Sequence, residues 1–143
     1  MPVPKNLPNT ILDLAFKTST GLLAWKKEDM PLVLAELVKS HLAVIGGEIW
    51  TVYPDGRHNG DVLDKEGRWG IYTWYIYRNE GESWLDFVQR AALYTQDRIL
   101  TFNTEERTRP DIAPLLRYNL DIDDEDTYNE FRSRYPRGQT GQG

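Results

Sequence analysis

The sequence predicts an α+β domain, a small antiparallel sheet with a long central hairpin packed against two or three helices. Three observations lead to that class. Val44-Ile45-Gly46-Gly47-Glu48-Ile49-Trp50 is β-branched and apolar around a glycine pair. Trp69 to Tyr77 is an aromatic run without proline. Ser83, with Asp86 three residues on, forms a near capping box ahead of a helical pattern. Together they give a β-β-α core.

Taken in order, Pro8 and a capping Asn9 or Thr10 predict a short helix over Asn9 to Lys17, with Ile11, Leu12, Leu14 and Ala15 on its apolar side. Thr18-Ser19-Thr20-Gly21 breaks it. Leu22 to Trp25 reads equally as a helix start or an extended piece, because periodicity does not separate the two over so few residues. From Asp29 an amphipathic helix is predicted, with Pro31 in its first turn and Leu34, Leu37, Val38 and His41 at helical spacing. Leu42 to Tyr53 is the first long strand. Its Gly46-Gly47 pair lowers strand propensity, which predicts a bulge or a close backbone approach that a Cβ forbids. Pro54-Asp55-Gly56 is a turn signal, and a polar loop continues to Arg68.

Trp69 to Arg78 is the return strand, antiparallel to the first. Trp69, Ile71, Thr73, Tyr75 and Tyr77 fall on one face, and Gly70, Tyr72, Trp74 and Ile76 on the other. Neither face is polar, so either helices cover both or one aromatic face stays open for a partner. The helix from Ser83 ends near Leu100 to Phe102. Its stripe is Leu85, Val88, Ala92 and Ile99, flanked by Trp84, Phe87, Ala91 and Tyr94. Composition then shifts. Residues 1–120 are expected to form a single α+β domain, and 121–143 a tail, acidic over Asp121 to Asp126 and then rich in Arg and Gly, with its end disordered. Within it Tyr128, Phe131 and Tyr135 have the spacing of a short helix.

The chain has 143 residues, 40% of them hydrophobic, which suits one core. Without cysteine it has no disulfide, thiolate nucleophile or Cys-ligated metal, and it fits the cytoplasm. No run of about 18 apolar residues offers a membrane span, and the Pro-rich start lacks the apolar region of a signal peptide. A net charge of -5 and a pI near 5.0 argue against a direct nucleic-acid ligand and favour a basic partner.

His58, between Asp55 and Asp61, is the one candidate general base, and a solvated turn histidine is the stronger reading of it. Asp55, Asp61, Asp64 and Glu66 share a loop, but their spacing does not fit an EF-hand, and no metal or other cofactor is expected. The glycines form no phosphate-binding pattern. The remaining constellation is aromatic: Trp50, Trp69, Tyr72, Trp74, Tyr75, Tyr77 and Trp84. Most of these rings are expected in the core, and one or two at the surface as partner anchors.

Gly46-Gly47-Glu48-Ile49-Trp50, the aromatic strand and the Ser-started helix resemble the immunity-protein family numbered forty of bacterial polymorphic toxin systems, over residues 25–100. The family's strand reads roughly Gly-Gly-Asp-Val-Tyr, so this chain departs by Glu48 and Trp50. The resemblance implies a non-enzymatic protein that binds a cognate toxin domain, and the acidic charge leads to the expectation of a basic one, as nuclease toxins are. The expected contacts are Asp55, Asp61, Asp64, Glu66, Tyr72, Trp74, Asp123 and Asp124, with Gly46, Gly47, Glu48 and Trp50 as the structural motif. Two alternatives stand beside it. One is an adaptor that forms a homo-oligomer through an open strand face, and the other a small enzyme using His58 with Asp55 or Asp61.

Overall fold

The computed structural model describes residues 7–134. Helix α1 (Asn9–Leu12) precedes strands β1 (Phe16–Lys17) and β2 (Leu23–Trp25), and a 3₁₀ turn at Lys27–Asp29 opens α2 (Met30–Lys39). The long strand β3 (Ala43–Val52) is followed by β4 (His58–Asn59), β5 (Val62–Leu63), β6 (Trp69–Gly70) and β7 (Thr73–Tyr75). Then come α3 (Trp84–Phe102), α4 (Thr104–Arg107), β8 (Leu116–Asp123) and α5 (Glu125–Arg134).

The α+β class holds. Strand β3 is central: β8 pairs along one edge, from Ala43↔Asp123 to Thr51↔Leu116, while β7 and β4 share the other. Strands β2 and β1 extend the sheet beyond β8, and β5 pairs with β6 in a separate ribbon. All these pairings are antiparallel. The central pair is therefore β3 with β8, and the expected hairpin partner β7 meets β3 only at Gly46↔Tyr75, Gly47↔Trp74 and Glu48↔Thr73. The domain boundary expected at residue 120 falls inside β8. Residues 121–123 are sheet, and the disorder expected for the last six or so residues, like Tyr135 of the expected short helix, lies outside the described residues.

The register divides the sheet into two faces. Leu116, Tyr118, Leu120 and Ile122 of β8 join Val44, Ile49, Trp25 and Trp74 in a core shared with Met30, Val33, Leu34 and Leu37 of α2 and Ile99 of α3. Arg117, Asn119, Asp121 and Asp123 alternate with them and share the opposite face with Gly46, Glu48 and Trp50.

The glycine pair does both things its sequence implies. A register shift between Val44 and Gly46 marks a bulge. A Cβ on Gly47 would lie 2.5 Å from the Asn119 carbonyl and 2.6 Å from Trp74 Cζ2, and one on Gly46 would lie 2.6 Å from the Trp74 carbonyl. Only glycine permits both strands and the indole so close.

Elsewhere the chain departs from expectation for local reasons. Helix α1 stops at Leu12 because Phe16 and Lys17 pair with Ala24 and Leu23 in a hairpin, which also settles Leu23–Trp25 as extended. The run Trp69–Arg78 splits, since β6 pairs with β5 and the chain joins β3 only after Ile71. The Ser83 hydroxyl accepts from Asp86 N at 3.1 Å, starting α3 as expected, and Asn103 in the left-handed region (φ 50°) ends it. The buried stripe is Trp84, Phe87, Val88, Ala91, Thr95 and Ile99, and Leu85 is exposed. His41 is exposed, not packed. At φ 60° it closes α2, and its carbonyl accepts from Trp84 Nε1 at 2.8 Å.

Candidate functional site

The alternation along Trp69 to Ile76 decides which aromatic face is open. Trp69 (49% exposed), Ile71 (73%), Thr73 and Tyr75 (50%) face solvent, while Trp74 and Ile76 are buried and Gly70 and Tyr72 are partly covered. The glycine notch explains the choice. With no side chain at Gly47, the Trp74 ring lies against the sheet, and its Nε1 donates to Thr95 Oγ1 of α3 at 3.2 Å. The alternate residues then point outward.

Of the expected anchors, Trp74 is corrected and Tyr72 is half-covered. Trp74 is 3% exposed and belongs to the core. Tyr72 is half-buried, edge-on to Phe102 at 5.3 Å, and its carbonyl accepts from Ile49 N. The open rings are Trp69 on β6 and Tyr75 on β7, and the signal that finds Tyr75 is the register of β7 against Gly46 and Gly47.

The acidic loop is built from local pairs. Asp55 accepts from Arg57 N at 3.0 Å and Nε at 2.7 Å, and these bonds hold its carboxyl below the usual range. Asp64 accepts from Glu66 N, Arg68 N and Arg68 Nε at 2.9, 2.8 and 3.2 Å, and the Arg68 backbone bond leads the lowering of its pKa. Glu66 is exposed, 3.7 Å from Arg68, and the Asp61 carbonyl accepts from Thr51 Oγ1. The loop thus presents paired charges more than a bare acidic surface.

A second group of acids lies on the sheet. Glu48 Oε1 accepts a hydrogen bond from Trp50 Nε1 at 2.5 Å, and Asp121 lies opposite Gly46 on the same face. Burial, with Glu48 adding to it, raises the Asp121 pKa. Asp123 is fully buried, with neither carboxylate oxygen hydrogen-bonded among the described residues. Burial, then Asp124 and Asp121, push its pKa up to about 6. Asp123 is therefore corrected from surface contact to buried acid. Asp124 accepts from Thr127 N at 2.7 Å and caps α5.

His58 is exposed at β4 and stacks on Trp50, centroids 4.6 Å apart. Among the described residues no hydrogen bond joins it to Asp55 or Asp61, and Asp55 is committed to Arg57, so the acid–base pair considered for an enzyme is not assembled. No group of His, Asp or Glu among the described residues is placed to hold a metal. No described helix is long and apolar enough to cross a membrane.

The family model described as Immunity protein 40 matches residues 17–113, and the chain belongs to that family. The matched span contains β3, β7 and α3, which make the Gly47–Trp74 contact, and stops before β8. No curated protein and no solved structure matches the chain.

Proposed function

We propose that this immunity protein acts in the cytoplasm by binding and neutralising one cognate toxin domain through direct contact, without catalysis. Family membership carries the reading. The exposed Trp69, Ile71 and Tyr75 supply the kind of apolar and aromatic area that anchors protein interfaces. The acids Asp61, Asp64, Glu66 and Glu48, in a chain of net charge -5, favour a basic toxin surface, as a nuclease presents, and steer its approach.

The test is expression of the product encoded beside this gene, with and without this protein. Growth arrest alone and rescue through a direct complex are expected. A harmless neighbour, or arrest that persists with both proteins well expressed, refutes the reading. Self-association has one observation in its favour, the open edge of β7. A monomer in sedimentation at micromolar concentration rules it out.

A further inference from the structure

Strand β7 pairs with β3 on one side only, and no strand among the described residues takes its other edge. Ile49 N donates to the Tyr72 carbonyl at 3.1 Å and Ile76 N to the Ile45 carbonyl at 3.0 Å. In an antiparallel ladder that phase turns the backbone groups of Tyr72, Trp74 and Ile76 toward β3, and those of Thr73 and Tyr75 outward. At Tyr77 the free edge ends, because Arg90 Nη2 donates to its carbonyl at 2.7 Å while Glu82 holds the same guanidinium.

Sheet edges in monomeric proteins are ordinarily blunted by lysine, proline, bulges or covering segments. Here Ile71-Tyr72-Thr73-Trp74-Tyr75-Ile76-Tyr77 has no charge, proline or glycine, and each residue favours extended structure. Such an edge templates another strand.

The charge beside it selects the occupant. Glu48 lies directly across from Thr73, one of its oxygens accepts a hydrogen bond from Trp50 Nε1, and Gly60 borders the carboxylate without a side chain to cover it. Asp121 lies across Gly46 from Tyr75. A second copy pairing edge to edge would bring both acidic faces together, at a like-charge cost. A strand with Arg or Lys opposite Thr73 would instead place a long side chain to reach Glu48 across two strand spacings, about 9.6 Å, over the small Thr73 side chain between them.

We infer that an extended segment of the toxin domain adds to the free edge of β7, with a basic side chain opposite Thr73 directed at Glu48. This rests on the immunity reading and names its mode of contact.

The experiment is residue-resolved amide hydrogen exchange on the full chain, free and bound to the catalytically inactivated toxin domain recovered by the growth test. The Thr73 and Tyr75 amides are expected to exchange freely in the free protein and about 100-fold more slowly in the complex, the protection of newly paired strand amides. Glu48→Gln, which keeps an acceptor for Trp50, is expected to weaken binding about tenfold and flatten its salt dependence. Rescue and a stable complex with both amides still at their free rates would overturn strand addition while leaving the immunity reading intact. A free protein that sediments as a dimer with both amides already protected would assign the edge to a second copy and overturn the proposal. As an arm independent of the toxin, a synthetic peptide alternating Arg and Val should shift the resonances of Ile71 to Tyr75. No shift at millimolar peptide counts against the edge.

Discussion

Gly47→Ala tests the structural centre of the fold. The new Cβ would meet the Asn119 carbonyl of β8 at 2.5 Å and the Trp74 ring at 2.6 and 2.7 Å, so both contacts fall short of ordinary van der Waals distance by about 0.8 Å or more. Neither neighbour yields easily. The carbonyl belongs to the central strand pair, and the indole is pinned by Thr95 of α3. The expected cost is about 3 kcal/mol, the upper end for overpacking, read from urea unfolding followed by tryptophan fluorescence. Gly60→Ala is the control. Its nearest neighbour would be Glu48 Oε1 at 3.8 Å, so it is expected to be neutral or to stabilise by about 0.5 kcal/mol through the unfolded chain. In the double variant Gly47→Ala, Trp74→Phe the smaller ring relieves part of the clash, so the costs add to less than their sum by about 1 kcal/mol. A Gly47→Ala protein within about 0.5 kcal/mol of wild type, with an unchanged denaturant slope, would refute the close-approach account.

The remaining predictions concern charge and the aromatic strand. The raised Asp123 pKa, about 6, means that stability from this group is present below its unfolded value of 3.8 and lost as pH rises toward 6. Asp123→Asn should therefore stabilise the protein above pH 6 by roughly 1–2 kcal/mol and remove that decline, as thermal melts at a series of pH values would record. Glu82 has the opposite sign. The Arg90 side-chain hydrogen bond leads in lowering its pKa from 4.5 to about 2, so its stabilisation is present above 4.5 and lost as pH falls toward 2. Glu82→Gln should flatten that acid limb in the same melts. Trp69→Ala is expected to leave stability within about 0.5 kcal/mol while weakening the toxin complex by about 2 kcal/mol, measured by calorimetry. Trp74→Ala should do the reverse, costing about 3–5 kcal/mol of stability.

Elements with a single strong local signal were legible from the residues: the Ser83 cap, the amphipathic α2, the glycine pair and the turn at Gly56, whose φ is 91°. The strand β8 was not, although Leu116, Tyr118, Leu120 and Ile122 alternate with polar partners in a clear period of two. Its aspartates disfavour strands, and the apolar rhythm is offset only by pairing with β3 along its length. Helix α3 offered two overlapping apolar stripes, and packing against Ala43 and Tyr128 selected the one with Phe87 and Ala91, leaving Leu85 outside. The open face of the aromatic strand was undecidable for a related reason. Both faces are apolar, and the deciding fact is a register between residues 27 positions apart, Gly47 and Trp74.

That register also separates what holds the fold from what is free to choose a partner. Gly47, Trp74 and Thr95 are locked together, so change there is felt as lost stability. Thr73, Tyr75 and Glu48 project from the other side of the same strands, outside the core shared with α2 and α3. A scaffold of this kind can be retargeted by charge alone, because like charges across an interface reject a partner as effectively as opposite charges recruit one. Reversing Glu48 to lysine would keep the strand edge available and alter which side chain it accepts opposite Thr73. The family pattern stops at residue 113, while the Asn119 and Asp121 positions that complete the column across Glu48, Gly46, Thr73 and Tyr75 come from β8, beyond it. Partner choice on this sheet would then depend on residues that the shared pattern does not constrain.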